Sequence, residues 1–143
     1  MSTICIDASF VVEMLVPVAT SFGSSLEELW LQWGVNRTDL VGPPLLFSEV
    51  TSVIREMVYR RRITPPSGEE AFQKFQSMQL SEVSFPGLNQ RAWQLAVQFN
   101  QPRAYDAQYL AVAEREGCEF WTTDRRLYNA VQPALPWVRL VAP

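Results

Sequence analysis

The stretch Thr3-Ile4-Cys5-Ile6-Asp7-Ala8-Ser9 decides the fold class of this chain. Its β-branched and apolar residues are typical of a short strand buried in a sheet. Asp7 ends the strand, and the apolar segment Phe10 to Val16 follows as a short helix that Pro17 halts. Ligands of open α/β sheets bind at the carboxyl ends of the strands. Asp7 is therefore a candidate site residue, and the alternative is that it only caps the helix behind it.

The bulk composition predicts one folded domain over residues 1–143. Hydrophobic residues make up 48% of the chain and charged residues 19%, as in ordinary globular proteins. The net charge of −3 does not attract nucleic acid over the whole surface, so any nucleic-acid site needs a local basic patch. The sequence has neither a membrane span nor a secretory signal pattern, and we expect a cytoplasmic protein without a membrane partner.

Histidine is absent from the sequence. Its absence excludes Ser-His-Asp and Cys-His catalysis, histidine–metal clusters and nucleases with a histidine base. The two cysteines, Cys5 and Cys118, stand among apolar residues and are predicted to be small core residues, not a disulfide or a zinc site. Chemistry in this chain must therefore use carboxylates, hydroxyls and arginines.

Strands and helices alternate along the rest of the sequence. Further strands are predicted at 39–44, where Pro43 or Pro44 ends the strand, and at 80–85, 118–122 and 137–141. Helices are predicted at 25–34, 45–61, 69–78, 88–99, 104–116 and 124–131. Ser67 and Glu70 have the spacing of a capping box for the helix at 69–78. The alternation predicts a three-layer α/β/α fold, with a central parallel sheet of about five strands.

Three further acids stand at positions of interest. Glu49 falls at the border of the apolar stripe of its helix, where a glutamate can also simply extend to water. Asp106 lies on the side that the helix 104–116 should bury, and an unpaired carboxylate there would cost several kcal/mol or take up a proton. Asp124 follows the strand 118–122, and it can also be a helix cap.

If these four acids converge, their mutual repulsion requires a positive counter-charge. Lys74 is the only lysine, and it belongs to a separate helix. A hard divalent cation such as Mg²⁺ or Mn²⁺ suits a set of carboxylates without histidine. A cation of this kind can activate water and bind a phosphate during in-line displacement.

Four motifs in this order resemble the PIN domain family, and within it the small ribonuclease toxins of VapBC toxin–antitoxin pairs. They are Ile6-Asp7-Ala8-Ser9, Ser48-Glu49-Val50, Tyr105-Asp106-Ala107-Gln108-Tyr109-Leu110-Ala111 and Thr122-Thr123-Asp124-Arg125-Arg126-Leu127. The resemblance covers essentially the whole chain, and its last two motifs are the more specific ones. It implies a PIN-like fold over 1–143.

The resemblance also implies a set of roles. Asp7, Glu49, Asp106 and Asp124 are expected to be catalytic acids that bind Mg²⁺ or Mn²⁺. Ser9 and Thr122 are expected to orient a carboxylate or a bound water. The implied activity is hydrolysis of RNA to a 3′-hydroxyl and a 5′-phosphate, and the implied partners are a small antitoxin and a second copy of the chain.

Arginines beside the acids are the predicted RNA contacts. Arg103 precedes Asp106, and Arg125 and Arg126 follow Asp124, so all three should border the acidic edge and contact phosphates. Two alternatives to a toxin remain open. One is a PIN-like module that binds RNA or protein without catalysis, and the other is a PIN nuclease of RNA processing that has no antitoxin.

Overall fold

A computed structural model describes residues 2–16 and 24–141 of the chain, with only the backbone of residue 24. Pro17, which was expected to halt the first helix, lies outside the described residues. The elements within them are, in chain order, β1 Thr3–Ile6, α1 Ala8–Leu15, α2 Ser24–Val35, β2 Asp39–Gly42, α3 Pro44–Tyr59, α4 Pro65–Ser77, β3 Leu80–Glu82, α5 Leu88–Gln98, α6 Tyr105–Glu116, β4 Glu119–Thr122, α7 Arg125–Val131 and β5 Val138–Leu140.

The five strands form one parallel sheet in the order β3-β2-β1-β4-β5. The central strand is β1, because the chain builds β2 and β3 on one side of it and β4 and β5 on the other. Right-handed crossovers in the two directions put helices on opposite faces of the sheet. The α/β fold predicted from the alternation is confirmed. The carboxyl ends of β1 and β4 flank the point at which the strand order reverses, which is where ligands bind in such sheets.

Strand β4 shows how both faces of the sheet are covered. Phe120 is fully buried and its ring stacks on Tyr109 of α6, with 6.0 Å between ring centroids. The next residue, Trp121, points the other way and meets Trp33 of α2 edge to face at 5.8 Å. Helices α1, α3 and α4 pack together, and α5 packs on α6. The sheet therefore lies between two helical layers.

The cysteines agree with the prediction that they are core residues. Both are free thiols, Cys5 buried and Cys118 partly buried. Among the described residues, no helix is long and apolar enough to cross a membrane.

The capping box predicted for α4 is wrong. The helix begins at Pro65, and the hydroxyl of Thr64 accepts a hydrogen bond from the Ser67 amide at 3.2 Å. Pro65 and Pro66 occupy the first two helical positions, where their missing N–H groups cost nothing and their fixed φ favours the helix. Ser67 therefore lies inside the first turn instead of before it. The strand predicted at 80–85 is also shorter, since β3 ends at Glu82.

Candidate functional site

Asp7 lies at the carboxyl end of β1 and is buried. Its Oδ1 accepts hydrogen bonds from the Phe10 amide at 2.9 Å and from the Ser9 hydroxyl at 2.8 Å, so it does cap α1. Its Oδ2 accepts a hydrogen bond from the Thr122 hydroxyl. These bonds favour the charged form, yet burial outweighs them and raises the pKa of Asp7 to about 6. Asp7 is therefore a helix cap and also a carboxylate whose charged form is disfavoured by burial.

Thr122 joins the ends of the two strands that flank the reversal point. It is fully buried at the end of β4, and while its hydroxyl donates to Asp7 it accepts a hydrogen bond from the Asp124 amide at 2.9 Å. Asp124 is exposed and caps α7, with its Oδ1 3.1 Å from the Leu127 amide. The strand-end acids of β1 and β4 are thus linked through one threonine.

Ser9 and Thr123 form a second connection across the same gap, since their hydroxyl oxygens are 2.7 Å apart. Ser9 and Thr122 both donate hydrogen bonds to the Asp7 carboxylate, which is the contact that the predicted orienting role requires. The sequence reasoning missed Thr123. Its only signal was its place in the run of hydroxyl residues before Asp124.

Asp106 is partly buried in the first turn of α6. Burial raises its pKa, and repulsion from Asp124 and Glu49 raises it further, while Arg126 acts in the opposite direction. Repulsion from Asp106 also adds to the rise in the pKa of Asp7. Asp106 is therefore close enough to each of the other three predicted acids to interact with it electrostatically.

Glu49 is partly buried on α3, at the border position that the apolar stripe predicted. Its Oε1 accepts a hydrogen bond from the hydroxyl of Tyr109 at 2.7 Å. Burial and the neighbouring Glu49 carboxylate both raise the pKa of Tyr109, so the phenol keeps its proton and remains a donor. Tyr109 is the second site residue that the sequence reasoning missed.

The acids fit a hydrated divalent cation better than a fully dehydrated one. Within residues 2–16 and 24–141, no three acidic or cysteine side chains are gathered around one point that could hold an ion. Mg²⁺ usually keeps several waters and takes one or two carboxylates, which this arrangement allows. A cation bound by Asp7 and Asp106 would also offset the burial, and the weaker repulsion, that raise the pKa of each of these carboxyl groups.

The three predicted phosphate-binding arginines are exposed. Arg126 lies close enough to Asp106 to lower the pKa of that carboxyl. Arg103 and Arg125 are not among the groups that shift the pKa of Asp7 or Asp106. Of these three arginines, Arg126 is the one that interacts electrostatically with Asp106.

A shallow groove of about 280 Å³ lies beside Glu49. Its other walls include Leu45, Val53 and Tyr105, and Tyr105 is 53% exposed. Two larger cavities, of about 650 and 800 Å³, open at the amino-terminal ends of the strands. Those cavities are on the edge opposite to the acids and do not belong to the site.

Comparisons with known proteins agree with this geometry. The PIN domain family model matches residues 4–132. A VapC ribonuclease of Mycobacterium bovis and ribonuclease VapC9 of Mycobacterium tuberculosis are each 32% identical over 94 residues, which is 66% of this chain and 72% of the relative. The crystal structure of PAE2754 from Pyrobaculum aerophilum superposes with a TM-score of 0.64 at 19% identity, covering 90% of this chain and 84% of that one. The similarity to PAE2754 supports the fold alone.

Proposed function

Because the chain belongs to the PIN domain family, we propose that it is a divalent-metal-dependent endoribonuclease and the toxin of a VapBC-type pair. The observation that carries the proposal is the set of carboxylates near the strand reversal point, in which Asp7 is buried at a strand end and Asp106 is repelled by Glu49 and Asp124. Burial and this repulsion raise the pKa of both Asp7 and Asp106. Carboxyl groups with shifted pKa values are concentrated at functional sites of proteins. The names of the VapC relatives supply the reaction, which is hydrolysis of RNA.

Each residue has a part in this proposal. Asp7, Glu49, Asp106 and Asp124 would hold hydrated Mg²⁺ or Mn²⁺, at most two of them by direct contact and the others through its bound waters. The cation would supply an activated water and stabilise charge on the phosphate. Ser9 and Thr122 keep the Asp7 carboxylate in place through their hydrogen bonds. Arg126, and on the same edge Arg103 and Arg125, would bind flanking phosphates of the RNA. The exposed ring of Tyr105 would stack on a base in the groove beside Glu49.

The proposal is tested by cleavage of a structured RNA with and without EDTA. Asp7→Asn should lower the rate at least about 100-fold, because even the loss of a group that only orients a metal ligand costs up to that much. Asp39→Asn is the matched control, since Asp39 is an exposed aspartate at the opposite end of a strand. Cleavage that survives both EDTA and Asp7→Asn would overturn the proposal.

A second candidate is a PIN-like module that binds RNA without cleaving it. It is favoured by the fact that, in the described part of the chain, no three acids surround one point. Titration with Mn²⁺ separates the two candidates. The nuclease should be stabilised against thermal unfolding by the cation, whereas the binding module should bind RNA and show no such stabilisation. A nuclease of RNA processing would respond to Mn²⁺ like the toxin, but it would have no antitoxin.

The proposed protein partners are a small antitoxin, whose tail covers the acidic edge, and a second copy of this chain. Support for the second copy comes from α5, where Trp93 and Val97 are 68% and 64% exposed and lie one turn apart. Their neighbours Gln90 and Gln94 are uncharged, so two such faces can meet without repulsion. We propose a cytoplasmic location because the RNA substrate is found there.

A further inference from the structure

Tyr109 connects the two helices that carry the partly buried acids. It lies three residues after Asp106 on α6, and its hydroxyl donates to Oε1 of Glu49 on α3 at 2.7 Å. Sixty residues separate the donor and the acceptor in the sequence. The bond therefore exists only because the fold brings α3 and α6 together.

The ring of Tyr109 is held firmly by the core. The residue is only 1% exposed, and its ring stacks on Phe120 of β4. Its carbonyl oxygen also accepts a hydrogen bond from the Cys5 thiol of β1, at 3.6 Å. Because ring and backbone are both fixed, the hydroxyl has a fixed position, and Glu49 is the flexible partner of the pair.

We propose that Tyr109 is a positioning residue, whose hydroxyl holds the Glu49 carboxylate in the orientation in which Glu49 binds the catalytic cation. This inference rests on the proposed function. The bond fixes Oε1 of Glu49, so Oε2 is the oxygen that would bind the cation or one of its waters. A glutamate side chain that is not held has several rotamers to lose on binding, and residues that orient a metal ligand typically change metal affinity 10–100-fold.

The alternative is that Glu49 only satisfies the hydrogen bond of a buried tyrosine. Tyr109→Phe removes the hydroxyl and leaves the ring. If Tyr109 positions Glu49, the Kd for Mn²⁺ measured by calorimetry on the full chain should rise about 10–100-fold, and RNA cleavage should recover at saturating Mn²⁺. Tyr59→Phe makes the same change at an exposed ring at the end of α3, and it should leave the Kd unchanged.

A double-mutant cycle shows whether the effect passes through Glu49. In a Glu49→Gln background, Tyr109→Phe should weaken Mn²⁺ binding no further, whereas a general disturbance of the fold would weaken it in both backgrounds. A thermal melt in EDTA shows whether Tyr109→Phe is folded. Glu49→Asp alters the proposed ligand itself, so it serves only as a second background, in which Tyr109→Phe should again weaken Mn²⁺ binding no further.

Besides an equal weakening in both backgrounds of the cycle, two results overturn the inference, and they differ in meaning. If the wild type binds Mn²⁺ and Tyr109→Phe binds it with the same Kd, Tyr109 is a packing residue and the proposed function stands. If the wild type binds no Mn²⁺ at all, the proposed function fails and the role of Tyr109 fails with it.

Discussion

Asp7 holds its negative charge where the protein disfavours it. Three groups donate hydrogen bonds to it, and burial still raises its pKa from 3.8 to about 6. A shift of this size corresponds to about 3 kcal/mol that the ionised carboxylate costs the folded state at neutral pH. In an enzyme that binds a cation here, part of the binding free energy offsets this cost.

The pH dependence of stability follows from the same shift. The folded state holds the proton of Asp7 more tightly than the unfolded state does, so this contribution to stability is present below about pH 4 and is lost as the pH rises through about 6. Without metal, Asp7→Asn should therefore be more stable than the wild type at pH 7.5. Removing the buried charge should raise the free energy of unfolding by about 3 kcal/mol, and the altered hydrogen bond with Thr122 should lower it by about 1 kcal/mol. We therefore expect a net gain of about 2 kcal/mol.

Urea denaturation in EDTA measures the difference. The advantage of Asp7→Asn should shrink between pH 7.5 and pH 5, and the exposed Asp39→Asn should show none at either pH. Equal stability of Asp7→Asn and the wild type at pH 7.5 would mean that the buried carboxylate is solvated in a way that this structure does not show.

The sequence predicted single residues well where their role is local. The position of Asp7 at a strand end and of Glu49 at a stripe border depends only on the period of the element. Tyr109 and Thr123 were missed because their hydroxyls act on groups 60 and 114 residues away. Such contacts depend on how helices and strands pack, and periodicity carries no information about them.

At the scale of elements, the predicted bounds were most accurate where a local signal ends the element. Helix α6 ends at Glu116, as the sequence predicted, and Gly117 closes it in a left-handed conformation at φ 63°. The predicted start of α4 was wrong because both Thr64 and Ser67 can cap a helix. Pro65 and Pro66 favour the first helical positions, so the cap is Thr64. The parallel sheet could be predicted without exact helix bounds, because it depends only on the alternation of strands and helices along the chain.

The cap of α4 gives a test of that correction. Thr64→Ala should lower the free energy of unfolding by about 1 kcal/mol, because the Ser67 amide loses its acceptor. Ser67→Ala should cost less, since the Ser67 side chain accepts only from the exposed Thr64 hydroxyl, at 3.0 Å. The capping box predicted from the sequence would give the reverse order. Urea denaturation of both variants beside the wild type distinguishes the two caps.

At the scale of the whole molecule, α2 and α5 each carry a pair of exposed apolar side chains one turn apart. Leu31 and Val35 of α2 are 67% and 82% exposed, and they resemble the pair on α5 in spacing. The α2 pair stands after the exposed Glu27 and Glu28, whose charges would repel across a symmetric interface. The face of α5 that carries Trp93 is therefore the better candidate for contact with a second copy.

Charge at that face should separate the copies. Trp93→Glu removes an exposed aromatic anchor and places like charges opposite each other in a two-fold interface. We expect analytical ultracentrifugation to give twice 16.3 kDa for the wild type and 16.3 kDa for Trp93→Glu. Leu31→Glu makes a comparable change on α2 and should remain a dimer. A wild type that sediments at 16.3 kDa, or a Leu31→Glu variant that alone dissociates, would show that α5 does not form this interface.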